Sequence, residues 1–279
     1  MCYGVGMTDK NKIAFGLGNA KLAKSISTFS LPAGHSCPFA RECLSKTDHL
    51  TGRVTDGVHC RFRCFSATTE ARATNVRKMR WHNFNLLRRA RTEKSMGKLI
   101  QDSLPLMVDK VRVHVSGDFF SERYFLAWLN VALNNPSILF YGYTKALPFM
   151  VKYRKYFPGN FRFVASKGGT HDHLIKEHGL RYAEVVFSIE EAEAKGLDVD
   201  HDDSHAISTD SRPFALLLHA TQPAGTPAAE AWMKIKKSGI GGYGKKTSVR
   251  REWAHKPHVV YLSIQGGKVN KFNPEIVYA

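Results

Sequence analysis

Val111-Arg112-Val113-His114-Val115-Ser116-Gly117-Asp118-Phe119-Phe120 is the stretch on which the reading of this chain turns. Val111, Val113 and Val115 alternate with polar residues, which is the period of a strand. The run ends in the tight polar turn Ser116-Gly117-Asp118. A helix begins at once, with Ser121 as its N-cap and Tyr124, Phe125, Trp128, Leu129 and Ala132 on one stripe. Strand, turn and helix form the unit of an α/β fold, where ligands gather beyond the C-terminal ends of strands. Gly117 lets the backbone approach a ligand, and Asp118 beside it is a candidate acid or nucleophile. The plain alternative is an aspartate that only caps the turn.

The same rhythm runs on towards the C-terminus. Strands are expected at 111–115, 138–143, 161–165, 183–188, 214–219 and 258–264. Helices are expected at 121–134, 146–156, 170–178, 189–195 and 227–238. Alternation at this spacing predicts a mostly parallel sheet, a (β/α) barrel or partial barrel, since six or seven strands are counted and not eight. A weak further strand is expected within 10–18. The whole chain, 1–279, reads as one α/β domain.

Polar residues follow each strand and gather on one rim: Ser116-Gly117-Asp118, Thr144-Lys145, Ser166-Lys167-Gly168-Gly169, Glu190-Glu191 and Thr221-Gln222. Asp118 and Ser116 are the candidate catalytic residues, since a carboxylate in such a crevice serves as nucleophile or general base. A second acid would come from Asp210 or Glu190, chosen by position alone. His114, Gly117, Lys145, Lys167 and Gln222 are candidate substrate contacts, the lysines to hold a phosphate or keep the acid ionised.

Residues 29–67 hold Pro32, Gly34, Pro38, Gly52 and Gly57 and look irregular, a length of loop that needs something to pin it. Four of the five cysteines lie here as Cys37-x5-Cys43-x16-Cys60-x3-Cys64. Two close pairs joined by a loop suit Zn(II) in a closed thiolate site, and four cysteines also suit an iron–sulfur cluster. The Cys-x3-Cys-x2-Cys run of radical enzymes is absent. His35 and His59 are adjacent substitutes for a thiol, and unliganded thiols remain the third reading.

Residues 68–101 read as one long helix or two, with a densely basic face: Arg72, Arg77, Lys78, Arg80, Arg88, Arg89, Arg91, Lys94 and Lys98. Few acids balance them, so pairing along the helix is not their purpose. The formal charge of the chain is +17, from 41 Lys and Arg against 24 Asp and Glu. That points to a polyanion as partner, nucleic acid first. Arg77, Lys78, Arg80, Arg88 and Arg89 are the candidate phosphate contacts, with Lys245 and Lys246 from the glycine-rich basic segment 239–251, which does not match a P-loop. Trp81 is either a stacking platform or core, and Phe84 is core. The acidic loop 196–212 is expected to be a solvated turn. No apolar run approaches the length of about 18 residues that spans a bilayer. The opening Met-Cys-Tyr-Gly-Val-Gly has no basic or apolar signal character, so the cytoplasm is the expected compartment.

Several of these pieces together resemble a known family. Phe29-Ser-Leu-Pro-Ala-Gly-His-Ser-Cys-Pro-Phe-Ala-Arg-Glu-Cys43, Arg63-Cys-Phe-Ser-Ala67, Asn75-Val-Arg-Lys78, His114-Val-Ser-Gly-Asp-Phe-Phe120 and Tyr143-Thr-Lys145 are similar to the phage "gene product eighty-eight"-like family, over about residues 12–245. A looser similarity is to the phage DNA 7-deazaguanine transglycosylases, relatives of tRNA-guanine transglycosylase. That similarity implies a (β/α) barrel, a four-ligand zinc site and rim aspartates that attack the sugar and exchange the base. The departures are the N-terminal place of these cysteines and the lack of an Asp-Ser-Gly-Gly motif. The expectation is a phage-type enzyme in the host cytoplasm that exchanges guanine in double-stranded DNA for a free deazapurine base through Asp118. The alternatives are an iron–sulfur, radical-type nucleic-acid-modifying enzyme and a non-enzymatic, zinc-stapled nucleic-acid-binding protein.

Overall fold

The computed structural model describes residues 10–18, 22–23, 25–239, 261–265 and 268–272. The chain forms two compact units, 1–244 and 245–279. In the first, β1 (Gly16–Leu17), β2 (Ile26–Ser30), β3 (Ser45–Thr47) and β4 (Val54–Asp56) precede three helices, α1 (Phe65–Arg72), α2 (Thr74–Ala90) and α3 (Glu93–Ser103). Then come β5 (Lys110–Ser116), α4 (Glu122–Leu133), β6 (Leu139–Thr144), α5 (Leu147–Tyr153), β7 (Phe161–Ser166), α6 (His173–Glu177) and β8 (Tyr182–Val186). The unit continues with α7 (Ile189–Ala194), β9 (Asp198–Val199), α8 (Ser204–Ile207), β10 (Phe214–Leu217) and α9 (Pro227–Ser238). In the second unit β11 (Tyr261–Gln265) and β12 (Lys268–Phe272) form an antiparallel hairpin. The strand expected at 258–264 is therefore part of a hairpin and not of the parallel sheet; its residues 258–260, like Lys245 and Lys246, lie outside the described residues.

The main sheet has eight strands in the order β1-β2-β5-β6-β7-β8-β10-β9. Only β1 is antiparallel. From β2 through β5, β6, β7 and β8 each parallel strand is laid down on the same side of the one before; the chain then runs out to the edge strand β9 and turns back to insert β10 between β8 and β9. Pairing ends at β1 and β9, which do not pair with each other among the described residues.

One face of the sheet packs on helices. Phe29, Val111, Val113 and Phe140 meet Leu87 of α2, Ile100 of α3 and Trp128 of α4, all of them fully buried. Each such side chain contributes about 1.5–3 kcal/mol by leaving water. His114 interrupts the alternation that the valines predict. Its φ of 60° is left-handed, and a register shift lies opposite it in β2. Both Val113 and His114 therefore turn to the helix side.

The other face carries Tyr141, Val164 and Phe214 against Ala206 of α8. Here the acidic loop departs from expectation. Asp200 and Asp203 are each 2% exposed. Arg112 pairs with Asp203, and the Tyr143 hydroxyl donates to Asp200 and Asp203, at 3.2 Å each. The loop is pinned to the sheet and is not a solvated turn.

The basic helical segment is three helices and not one or two. Ala73 is extended and ends α1; Arg91 takes a φ of 57° and ends α2; Thr92 caps α3 by a reciprocal pair of bonds with Ser95. Among the described residues no helix is long and apolar enough to cross a membrane.

Candidate functional site

The C-terminal ends of β2, β5, β6, β7, β8 and β10 open on one side, and the segment after β2 lies across them. Residues 29–67 are thus a cover over the mouth of the sheet, with a short hairpin, β3–β4, inside what reads as irregular sequence. The amides of Arg41 and Glu42 donate to Gly168 O beyond β7, and Thr170 N donates to Phe39 O. Arg61 pairs with Glu191 beyond β8. Gln222, beyond β10, accepts from Arg63 N at 2.7 Å and donates to Arg63 O at 3.1 Å.

Gly117 shows why this cover can close down. Its φ is 84°, and a Cβ there would lie 2.5 Å from Ser36 Oγ and 2.6 Å from Leu31 Cβ. The glycine makes room for the cover, where the sequence suggested room for a ligand.

Asp118 sits beneath, 5% exposed. Its Oδ1 accepts from the Thr144 hydroxyl at 2.6 Å and from Phe119 N at 2.7 Å, and its Oδ2 accepts from Lys145 N at 2.8 Å. Burial pushes its carboxyl above the ordinary range, against the pull of those three donors and the nearby Lys145 ammonium. Lys145 is buried too; its Nζ donates to Ser166 O, Ser166 Oγ and Lys167 O at 3.1, 2.9 and 2.5 Å.

The cysteines meet over this acid. The thiols of Cys37, Cys60 and Cys64 each feel the charge of Cys43, and Cys37 also feels Cys64 and Asp118. Burial raises all four. Cys64, at the N-cap of α1, is pushed up to about 11 by burial and by Cys43, against the Ser66 and Ala67 amides and Arg80. Burial raises Cys43 against the pull of Lys145. Cys60 donates to Phe62 O at 3.0 Å and lies 3.7 Å from Ser45 Oγ. Among the described residues no three His, Cys, Asp or Glu side chains are already drawn together at metal-binding separation. The four soft thiols fit zinc or an iron–sulfur cluster, with the carboxylates of Asp118, Glu42 and Asp56 close enough to act on them.

Several expected site residues belong elsewhere. His114 is 3% exposed on the helix side, among Phe29, Phe119 and Tyr124, and is 2.8 Å from the Tyr124 hydroxyl. Burial, helped by Arg112, pushes it down to about 3, so it is a neutral core histidine and not a substrate contact. Asp210 precedes β10 and so lies at the opposite end of the sheet from Asp118, paired with Arg212 at 2.7 Å. It is no second acid for Asp118. Lys167 is exposed at the mouth and pairs with Glu184 at 2.7 Å. Gln222 spends its amide on Arg63 and is a strut. Ser116 is buried at the end of β5, with no partner for its hydroxyl among the described residues.

Arg77 and Arg80 are not phosphate contacts. Each is 4% exposed. Arg77 donates to His49 O at 3.0 Å and Glu70 O at 2.5 Å; Arg80 donates to Ser66 O at 3.0 Å and pairs with Glu70 at 2.8 Å. Trp81 packs between His35 and His49 and is core. Lys78, Arg88 and Arg89 are exposed. Sequence reasoning missed Glu70, fully buried, whose Oε1 also accepts from Ala33 N at 2.9 Å and so ties α1 to the cover. An acid inside a helix carries no signal that it faces inward.

The family model described as gene product 88 matches residues 7–238. No curated protein and no solved structure matches the chain.

Proposed function

This chain belongs to the gene product 88 family, and we propose that it is a phage-type enzyme that modifies nucleic acid at a metal centre held by Cys37, Cys43, Cys60 and Cys64. The observation that carries the reading is the place of the thiols. They gather over the C-terminal mouth of a parallel sheet, the end where α/β enzymes do chemistry, with the buried Asp118 and Lys145 beneath them. The one-way winding from β2 to β8 is also that of a partial (β/α) barrel, which has such a mouth.

The four thiols would hold either zinc, which would staple the cover, or an iron–sulfur cluster, which would supply electron-transfer chemistry at the mouth. Exchange of guanine in DNA for a 7-deazaguanine is the second reading. Its support is Asp118, an acid at the mouth with a raised carboxyl. It requires Asp118 to free an oxygen from Thr144 or from Lys145 N. Such a protein would act in the host cytoplasm.

The test compares cells making the wild-type chain with cells making Cys43→Ser. Nucleosides from their DNA and RNA are separated by mass spectrometry, with and without a deazaguanine supply. A modified nucleoside that disappears in Cys43→Ser supports the enzyme. Identical nucleoside profiles under every condition leave the protein a non-enzymatic, metal-stapled binder.

A further inference from the structure

A groove lies beside the mouth, with one wall from each side of the site. His35, two residues before Cys37, and Phe120, two residues after Asp118, form its inner end; Arg88 and Arg91 at the end of α2 and Arg123 at the start of α4 form its rim. Its volume of about 620 Å³ falls within the range of ligand pockets, about 300–1,000 Å³. We propose that this groove binds single-stranded nucleic acid and leads the strand to the mouth, an inference that rests on the proposed action on nucleic acid.

The three arginines are exposed and none is paired with an acid among the described residues. Arg123 only reaches Arg91 O, at 3.3 Å, which sets two guanidiniums on the same helix end. The one carboxylate at the groove, Glu122, is turned away to Lys152 and Tyr153. The rim is therefore cationic, with fork-shaped donors that match phosphate oxygens. The floor is aromatic chiefly at the half-buried Phe120, which stacks one face on Tyr124 at 4.5 Å; Phe84 beneath it is core, 7% exposed. Phe84 and Phe120 meet edge to face at 5.2 Å, and Arg88 lies over Phe84 at 5.4 Å. A rim of arginines beside the half-buried Phe120 ring suits an unstacked base, which offers its face to the ring or to a guanidinium plane while the flanking phosphates meet the rim. A duplex hides such faces and would touch the rim alone. Arg88 was legible as a phosphate contact in the sequence; Arg91, Arg123 and the rings beneath are joined to it only by the fold.

The experiment uses the full chain and a labelled single-stranded oligonucleotide, as DNA and as RNA, with binding followed by fluorescence anisotropy across salt concentrations. Arg88→Gln/Arg91→Gln/Arg123→Gln removes three charges from the groove; Lys176→Gln/Lys236→Gln/Lys237→Gln removes three from exposed positions elsewhere. The groove variant is expected to bind at least about tenfold more weakly, with the salt slope reduced by about two, near 0.7 for each lost contact on a single strand. The control variant keeps the wild-type slope. Equal losses in both variants, an unmoved slope in the groove variant, or a duplex of the same sequence bound as tightly as the single strand would each overturn the proposal. Melting curves check folding, and the single variants Arg88→Gln and Arg123→Gln, each expected to lower the slope by about 0.7, carry the test if the triple variant unfolds. Because binding is read without turnover, an unmoved slope removes the groove and leaves the nucleoside test of the enzyme untouched, and unmodified nucleosides leave the groove standing.

Discussion

The Thr144 hydroxyl donates to Asp118 Oδ1 at 2.6 Å and thereby rejoins two strands that have parted. The ladder between β5 and β6 stops at Arg112 and Tyr141, although β5 runs on to Ser116 and β6 to Thr144. The left-handed His114 bends β5 away at that point. Beyond the gap, Asp118 takes the Thr144 hydroxyl and the Lys145 amide, so a side chain replaces the missing backbone ladder at the edge of the mouth.

Asp118→Asn is expected to cost stability even if Asp118 also does chemistry. All three groups facing the carboxylate are donors, and the amide nitrogen of Asn cannot accept from any of them. One buried donor is left unsatisfied, a loss of about 1–3 kcal/mol. Chemical denaturation of the variant checks this; an unchanged midpoint would mean that the three donors are satisfied without the carboxylate.

Gly117→Ala is expected to lift the cover. The added methyl meets Ser36 and Leu31 at 2.5–2.6 Å, in a left-handed backbone that L-residues adopt at a cost of about 1–3 kcal/mol. The variant should melt earlier and lose bound metal together, measured on the same preparation. A lower melting temperature with full metal content would separate the cover from the cysteines.

Arg80→Ala tests stability and not binding. The Arg80–Glu70 pair is buried, and removal of one partner leaves a buried charge, a loss of about 3–5 kcal/mol. At a temperature where the variant is still folded, its affinity for nucleic acid should match that of the wild type. A weakened affinity with unchanged stability would return Arg80 to the phosphate contacts.

Glu184 gives the protein part of its acid sensitivity. Burial pushes its carboxyl up, but the ammoniums of Lys167 and Lys195, at 2.7 and 2.6 Å, together outweigh burial and hold it below the usual range. A carboxylate lowered by folding stabilises above its unfolded pKa, about 4.3, and that stabilisation fades as pH falls through the depressed value. Glu184→Gln should therefore melt below the wild type at pH 7, with the gap closing in acid below about pH 4. A gap that widens in acid would contradict the sign.

The strands at 111, 138, 161, 183 and 214 were legible because each is an apolar run bounded by turn residues, followed by a helix of the right period. β2 was not, since Ser27, Thr28 and Ser30 break its apolar character and a run of Pro and Gly follows it. The bend at His114 left no mark, for a histidine between valines reads as an outward residue of an unbroken strand. Arg77 and Arg80 share their helix with Lys78, and only the tertiary fold separates the buried guanidiniums from the exposed ammonium. Asp210 was open to better reasoning: a residue just before a parallel strand lies at the opposite end from one just after another. The cysteines were legible as a set, but their place over the mouth depends on β2 being the first parallel strand.

The most direct test is the metal content and visible spectrum of the full chain prepared without oxygen, for the wild type and for Cys37→Ser, Cys43→Ser, Cys60→Ser and Cys64→Ser. The proposal predicts one centre per chain in the wild type, with iron, sulfide and a brown colour if it is a cluster, and its loss in Cys43→Ser, whose charge acts on each of the other three thiols. Wild-type protein with neither zinc nor iron, or a metal that survives Cys43→Ser, would contradict it.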